Sequence, residues 1–215
     1  MARKSDNMKP AAGSNDFIEA RLFPSRNDCV YTSCYCEENV WHLCSSVRDT
    51  QPEELGKCFC VFISNHSQTI PLWEQTASNR EDGLVVWDYH VIFILKGSDG
   101  SSVYDLDTRL DFPCPFQQYV RQGIQSCASL KPEFQRLFRV IPAEEFLSTF
   151  ASDRSHMLDD DGKWLKPPPA YPCIKTLDSA NNIKEFMSMD PKVGVGKVMD
   201  FWQFCDNFLE KKDNS

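Results

Sequence analysis

Leu84-Val-Val-Trp-Asp-Tyr-His-Val-Ile-Phe-Ile-Leu95 decides how this chain folds. In an extended backbone successive side chains point to opposite faces. Val86, Asp88, His90, Ile92 and Ile94 then share one face, and Val85, Trp87, Tyr89, Val91 and Phe93 share the other. Both faces are largely apolar, which predicts a central strand covered on two sides. Gly97-Ser-Asp-Gly100 follows as a turn, and Val103 to Thr108 returns as an antiparallel partner. A turn centred near residues 97 and 98 sets His90 directly opposite Asp105, whereas a slip of one residue would put the two on opposite faces.

Working outward, Cys58 to Ser64 reads as a buried strand and Ile70 to Trp73 as a short second one after the polar turn Asn65 to Gln68. Upstream, a helical stripe of Val40, Leu43, Cys44 and Val47 begins at Cys36. Glu37 and Glu38 fall in its first turn, where carboxylates suit the positive helix end. Downstream, Phe116 to Cys127 and Pro142 to Phe150 read as helices, with a strand at Leu137 to Ile141 between them. Residues 151 to 173 carry Asp159-Asp-Asp-Gly162 and Pro167-Pro-Pro169, predicting a long surface excursion. Val198, Phe201, Trp202, Cys205, Phe208 and Leu209 form a closing helix.

Helices and strands mixed around an antiparallel hairpin make the fold class α+β. At 215 residues the chain suits one core. Residues 28–211 are expected to form that single domain, after a polar arm at 1–27 that is disordered or loosely docked and before a short tail at 212–215.

With 31 acidic against 23 basic side chains and a net charge of -8, the chain lacks the basic footprint that nucleic acid requires. Neither a signal segment nor a run of roughly 18 apolar residues is present, which predicts no membrane partner and a cytoplasmic location, with the nucleus also open. Ten cysteines without a secretion signal are expected to be free thiols. The chain has no CxxC pair, only Cys34-x-Cys36 and Cys58-x-Cys60, and its four histidines are scattered. No structural zinc and no other metal is therefore expected.

A cysteine becomes nucleophilic when its thiolate is favoured, by a helix N-terminus or a neighbouring imidazole. Cys36 has the first feature, and His90 on a rigid strand could supply the second, with Asp105 orienting its other nitrogen. Glu37 and Glu38 work against a thiolate, so they must point away, be paired or serve a substrate. Periodicity alone does not separate Cys36 from Cys34, nor Asp105 from Asp107, which shares its strand face.

Several runs resemble the eukaryotic protein N-terminal glutamine amidohydrolases: Tyr31-Thr-Ser-Cys-Tyr-Cys-Glu-Glu-Asn39, Trp87-Asp-Tyr-His90, Tyr104-Asp-Leu-Asp-Thr108, Ala151-Ser-Asp-Arg-Ser-His-Met157 and Ser188-Met-Asp-Pro-Lys-Val-Gly194. The similarity extends from about Cys29 to Phe208. It implies a nucleophile at Cys36, the second cysteine of Cys-Tyr-Cys, with His90 as base and Asp105 as its orienter. It also implies an α/β sandwich related to papain-like and transglutaminase-like thiol enzymes. The implied reaction is deamidation of N-terminal Gln through a glutamyl thioester, without cofactor, by a monomer acting on proteins and peptides and feeding the N-degron pathway. One departure is Val195 after Gly194, where relatives carry tryptophan; if that loop packs an aromatic over the substrate, the contact is weakened or replaced here.

Overall fold

The computed structural model describes residues 22–128 and 130–209. In chain order its main elements are α1 (Cys36–Thr50), β1 (Cys58–Ser64), β2 (Ile70–Leu72), β3 (Val85–Trp87), β4 (His90–Lys96), β5 (Ser101–Tyr104) and β6 (Cys114–Pro115). There follow α2 (Phe116–Tyr119), β7 (Leu137–Pro142), α3 (Ala143–Thr149), α4 (Ile183–Met187), β8 (Lys197–Met199) and α5 (Phe201–Phe208). Six strands form one sheet in the order β6-β5-β4-β1-β7-β8, every neighbouring pair antiparallel. β2 and β3 form a separate ribbon.

Helices cover both faces of the sheet. On one side Val40, Leu43, Cys44 and Val47 of α1, Phe146 of α3 and Phe186 of α4 pack on Phe62, Val91, Phe93 and Ile141. On the other, Phe116 and Tyr119 of α2 and Phe204 and Phe208 of α5 pack on Val61, Ile92, Ile94 and Phe138. The alternation expected along β4 therefore holds from Tyr89 onward, and the chain is a single α+β domain. No helix among the described residues is long and apolar enough to cross a membrane.

Leu84 to Leu95 is not one strand, however. The run breaks at Asp88 and Tyr89, where side chains replace strand neighbours as partners. Ser64 Oγ donates to the Asp88 carbonyl at 2.7 Å, and Asp88 Oδ1 accepts from Tyr89 N–H at 2.9 Å. The break resets the alternation: Trp87, expected opposite His90, stacks on its ring with centroids 5.8 Å apart.

The hairpin register also differs from expectation. Phe93 pairs with Tyr104 and Lys96 with Ser101, a shift of two residues from the pairing that set His90 opposite Asp105. A shift of two preserves the face, so the two side chains still meet diagonally. β5 itself ends at Tyr104 rather than Thr108.

The expected helix Phe116 to Cys127 is shorter. It runs as α2 into a wider π turn, Val120–Ile124, and stops at Gln125, whose φ is +63°. Val198 lies on β8, not on the closing helix, because Asp200 and Gln203 form a reciprocal capping box that starts α5 after it. Of the expected arm, residues 1–21 lie outside the described residues. Leu22 and Phe23 are buried, with Phe23 edge-on to Phe93 and Tyr104 at 5.7 and 5.1 Å. The expected tail 212–215 is likewise outside the described residues.

Candidate active site

Cys36 is the first residue of α1. The chain enters the helix through Cys34 at φ +68°, a left-handed conformation that turns the backbone sharply. Asn39 fixes that entry: its Nδ2 donates to the Thr32 carbonyl at 2.9 Å and its Oδ1 accepts Thr32 N–H at 2.8 Å. The helix then packs against β4, bringing Cys36 close to the Val91 backbone.

The Cys36 thiol stands 3.7 Å from Glu37 Oε2. Burial pushes it well above its ordinary range, and the charges of Glu37, Asp107 and Asp88 push it further, against the Val91 hydrogen bond. Among the described residues, no hydrogen bond joins Cys36 to the His90 ring. Such contacts are often long before substrate binds.

His90 and Asp105 are brought together. His90 Nε2 lies 3.0 Å from Asp105 Oδ1, and both side chains are buried. Burial would lower the imidazole pKa, but the Asp105 charge, their hydrogen bond and the Asp107 charge outweigh it and raise the pKa. Burial would likewise raise the Asp105 carboxyl. The His90 charge, with hydrogen bonds from His90, Asp107 N–H and Tyr119 O–H, holds it below the usual range instead.

Asp107 takes a different role from Asp105. Its carboxylate accepts from Tyr31 O–H at 2.6 Å, and its backbone N–H donates to Asp105 Oδ1 at 2.9 Å. The ligand atoms of His90, Asp105 and Asp107 lie within 4.8 Å of one another, as a metal site would require. Yet Asp105 Oδ1 already accepts from His90 and Asp107, its Oδ2 accepts Tyr119 O–H at 2.8 Å, and Asp107 is held by Tyr31. The donor set is arranged as a hydrogen-bond network rather than an open coordination sphere.

The two glutamates beside the thiol are buried and differ. Glu38 is gripped by Arg154, through Nε at 2.9 Å and Nη2 at 2.8 Å. Glu37 accepts from Tyr89 O–H at 3.0 Å and faces His156 Nε2 at 3.5 Å. Arg154 and His156 both come from the excursion after residue 150, so that segment closes over the start of α1.

Tyr119, Tyr89 and Tyr31 carry polar contacts that residue pattern alone does not reveal. Tyr119 showed only as an apolar stripe residue. Val195 packs against the α1 side of the core, and its carbonyl accepts from Arg139 Nη1 at 2.8 Å.

A family model described as N-terminal glutamine amidase matches residues 31–208. The chain is 50% identical over 186 residues to the protein N-terminal glutamine amidohydrolase of Bos taurus, covering 86% of this chain and 89% of the relative. To the Homo sapiens protein of that name it is 50% identical over 189 residues, covering 87% and 92%. To that of Drosophila grimshawi it is 48% identical over 198 residues, covering 92% and 95%. With the matched span holding Cys36, His90 and Asp105, the chain belongs to the N-terminal glutamine amidase family.

Proposed function

We propose that this protein hydrolyses the side-chain amide of an N-terminal glutamine, with Cys36 as nucleophile, His90 as general base and acid, and Asp105 orienting the imidazole. The observation that carries the reading is the buried His90–Asp105 pair, 3.0 Å apart, on the strand against which the α1 start sets Cys36. The names of the relatives supply the substrate.

Cys36 attacks the side-chain carbonyl carbon while His90 takes the thiol proton. The C–N bond of the tetrahedral intermediate then breaks, and His90 protonates the departing nitrogen, so neutral ammonia leaves and a glutamyl thioester remains. Water, deprotonated by His90, attacks the thioester. The C–S bond breaks, the thiol recovers its proton, and the product is N-terminal glutamate. The backbone N–H of Cys36 lies at the helix start, where N–H groups lack intrahelical acceptors, and serves as one oxyanion donor. No metal or organic cofactor enters these steps.

The α1-then-antiparallel-sheet order is compatible with a core akin to papain-like and transglutaminase-like enzymes. We assign the protein a monomeric state, a cytoplasmic location with the nucleus also open, no nucleic-acid or membrane partner, and a place upstream of N-degron recognition of the new glutamate. These assignments rest on the resemblance and the acidic composition.

The test is ammonia release and product mass with a free N-terminal Gln peptide. Wild type and Cys34→Ala should release ammonia and add about one mass unit, while Cys36→Ala should not. Cleavage of the chain instead of deamidation, or a fully active Cys36→Ala, would sink the reading.

A further inference from the structure

Five carboxylates near the site could receive a substrate's free ammonium: Glu37, Glu38, Asp88, Asp107 and Asp153. The structure separates them. Asp107 already accepts from Tyr31 O–H and sits against the His90–Asp105 pair. Both oxygens of Glu38 are taken by Arg154. Asp153 is exposed, and its Oδ1 accepts from Ser155 N–H and Asn181 Nδ2. Asp88 is also exposed, and its Oδ1 accepts from Tyr89 N–H.

Glu37 is different. It is 0% exposed, its Oε2 accepts from Tyr89 O–H, and its Oε1 has no hydrogen-bond partner. His156 Nε2 stands 3.5 Å from that oxygen, beyond the range of a good hydrogen bond. Leaving a buried carboxylate oxygen without a donor is unfavourable, and native folds rarely do so without a reason.

Its position suits a ligand. In an N-terminal glutamine the α-nitrogen and the side-chain carboxamide carbon are four bonds apart, about 4–5 Å in an extended conformer. At attack that carbon lies about 3–3.5 Å from the sulfur. The ammonium then falls within reach of a carboxylate whose Oε2 is 3.7 Å from Cys36 Sγ.

We infer that Glu37 receives the free α-ammonium of the substrate on its open Oε1, while Tyr89 O–H holds its Oε2. This rests on the N-terminal glutamine reading given above. The same contact ties recognition to reactivity. The Glu37 charge opposes ionisation of Cys36. A bound ammonium offsets that charge, so the thiol yields its proton more readily when a free N-terminus is seated. Blocked termini lose both the anchor and the activation.

The experiment compares two peptides of one sequence, one beginning with Gln and one with its des-amino analogue, a 4-carbamoylbutanoyl group. Ammonia release is read as kcat and KM. Wild type should prefer the free amine by roughly 100-fold or more in kcat/KM, with a share in kcat. In folded Glu37→Gln that preference should collapse to about tenfold or less. If Glu37→Gln does not fold, Glu37→Asp, which keeps the charge but withdraws it by one methylene, should show a reduced preference. A wild type that turns over both peptides alike, or a folded variant that keeps the wild-type preference, overturns the assignment of Glu37. No ammonia from wild type with the Gln peptide removes the underlying functional reading as well.

Discussion

Asp105 spends both carboxylate oxygens on its neighbours, Oδ1 on His90 and Asp107 N–H and Oδ2 on Tyr119. Removing its charge should therefore act on His90 more than on the fold. Asp105→Asn is expected to lower kcat by about 10³–10⁴-fold. On the proposed mechanism the Cys36–His90 pair sheds one proton to react, and Asp105 raises the His90 pKa. The rising limb of kcat/KM against pH should thus move to lower pH in Asp105→Asn, even as its plateau falls. A limb that stays in place would contradict this. Stability carries the same signature. Because the folded His90 pKa is raised, its contribution is complete below the unfolded value of about 6.5 and is lost as pH climbs through the folded value. Asp105 is held low, so its part is present above about pH 3.9 and is lost as pH falls through its folded value. The Tm gap between wild type and Asp105→Asn should consequently be wider at pH 6 than at pH 9. The resemblance singles out Cys36, His90 and Asp105 in the sequence, and the structure brings His90 and Asp105 together. The polar role of Tyr119 and the open oxygen of Glu37 are not legible in the sequence, because both depend on which atoms the fold brings into contact, which residue type and spacing do not give.

Helix α1 is held by more than its apolar stripe. Arg154, at φ +65°, reaches from the excursion to make a two-point ion pair with buried Glu38. Truncation of Arg154 leaves a buried carboxylate without compensation. Arg154→Met should cost about 3–5 kcal/mol in urea unfolding, and adding Glu38→Gln should recover much of it. If the double variant is no better than the single, the ion pair is not what holds the helix start. Periodicity located α1 and β1 well, since each has a continuous pattern buried as a unit. It failed at Trp87, where Ser64 and the Asp88 side chain satisfy the backbone locally and the strand divides. The hairpin register missed by two residues because a run of Gly, Ser and Asp permits several turn centres. The pleat kept His90 and Asp105 on one face nonetheless.

Across the whole molecule the sheet is closed at one edge by β8, which the sequence reading merged into the last helix. The approach depends on Gly196, at φ +75°, where a Cβ would come within 2.6 Å of the Val140 carbonyl oxygen. Buried Arg139 secures the loop before it by donating to the carbonyls of Ser188, Asp190 and Val195. Gly196→Ala should lower stability by more than about 1 kcal/mol, read as a lower urea midpoint. Its kcat/KM at low temperature should stay near wild type, since β8 lies at the far side of β7 and β1 from β4. At the opposite end of the chain, Phe23 forms a wall behind the hairpin that bears His90 and Asp105, seated against Phe93, Tyr104 and, at 6.3 Å, Phe112. A truncation beginning at residue 28 would remove Phe23 and open Phe93 and Tyr104 to water.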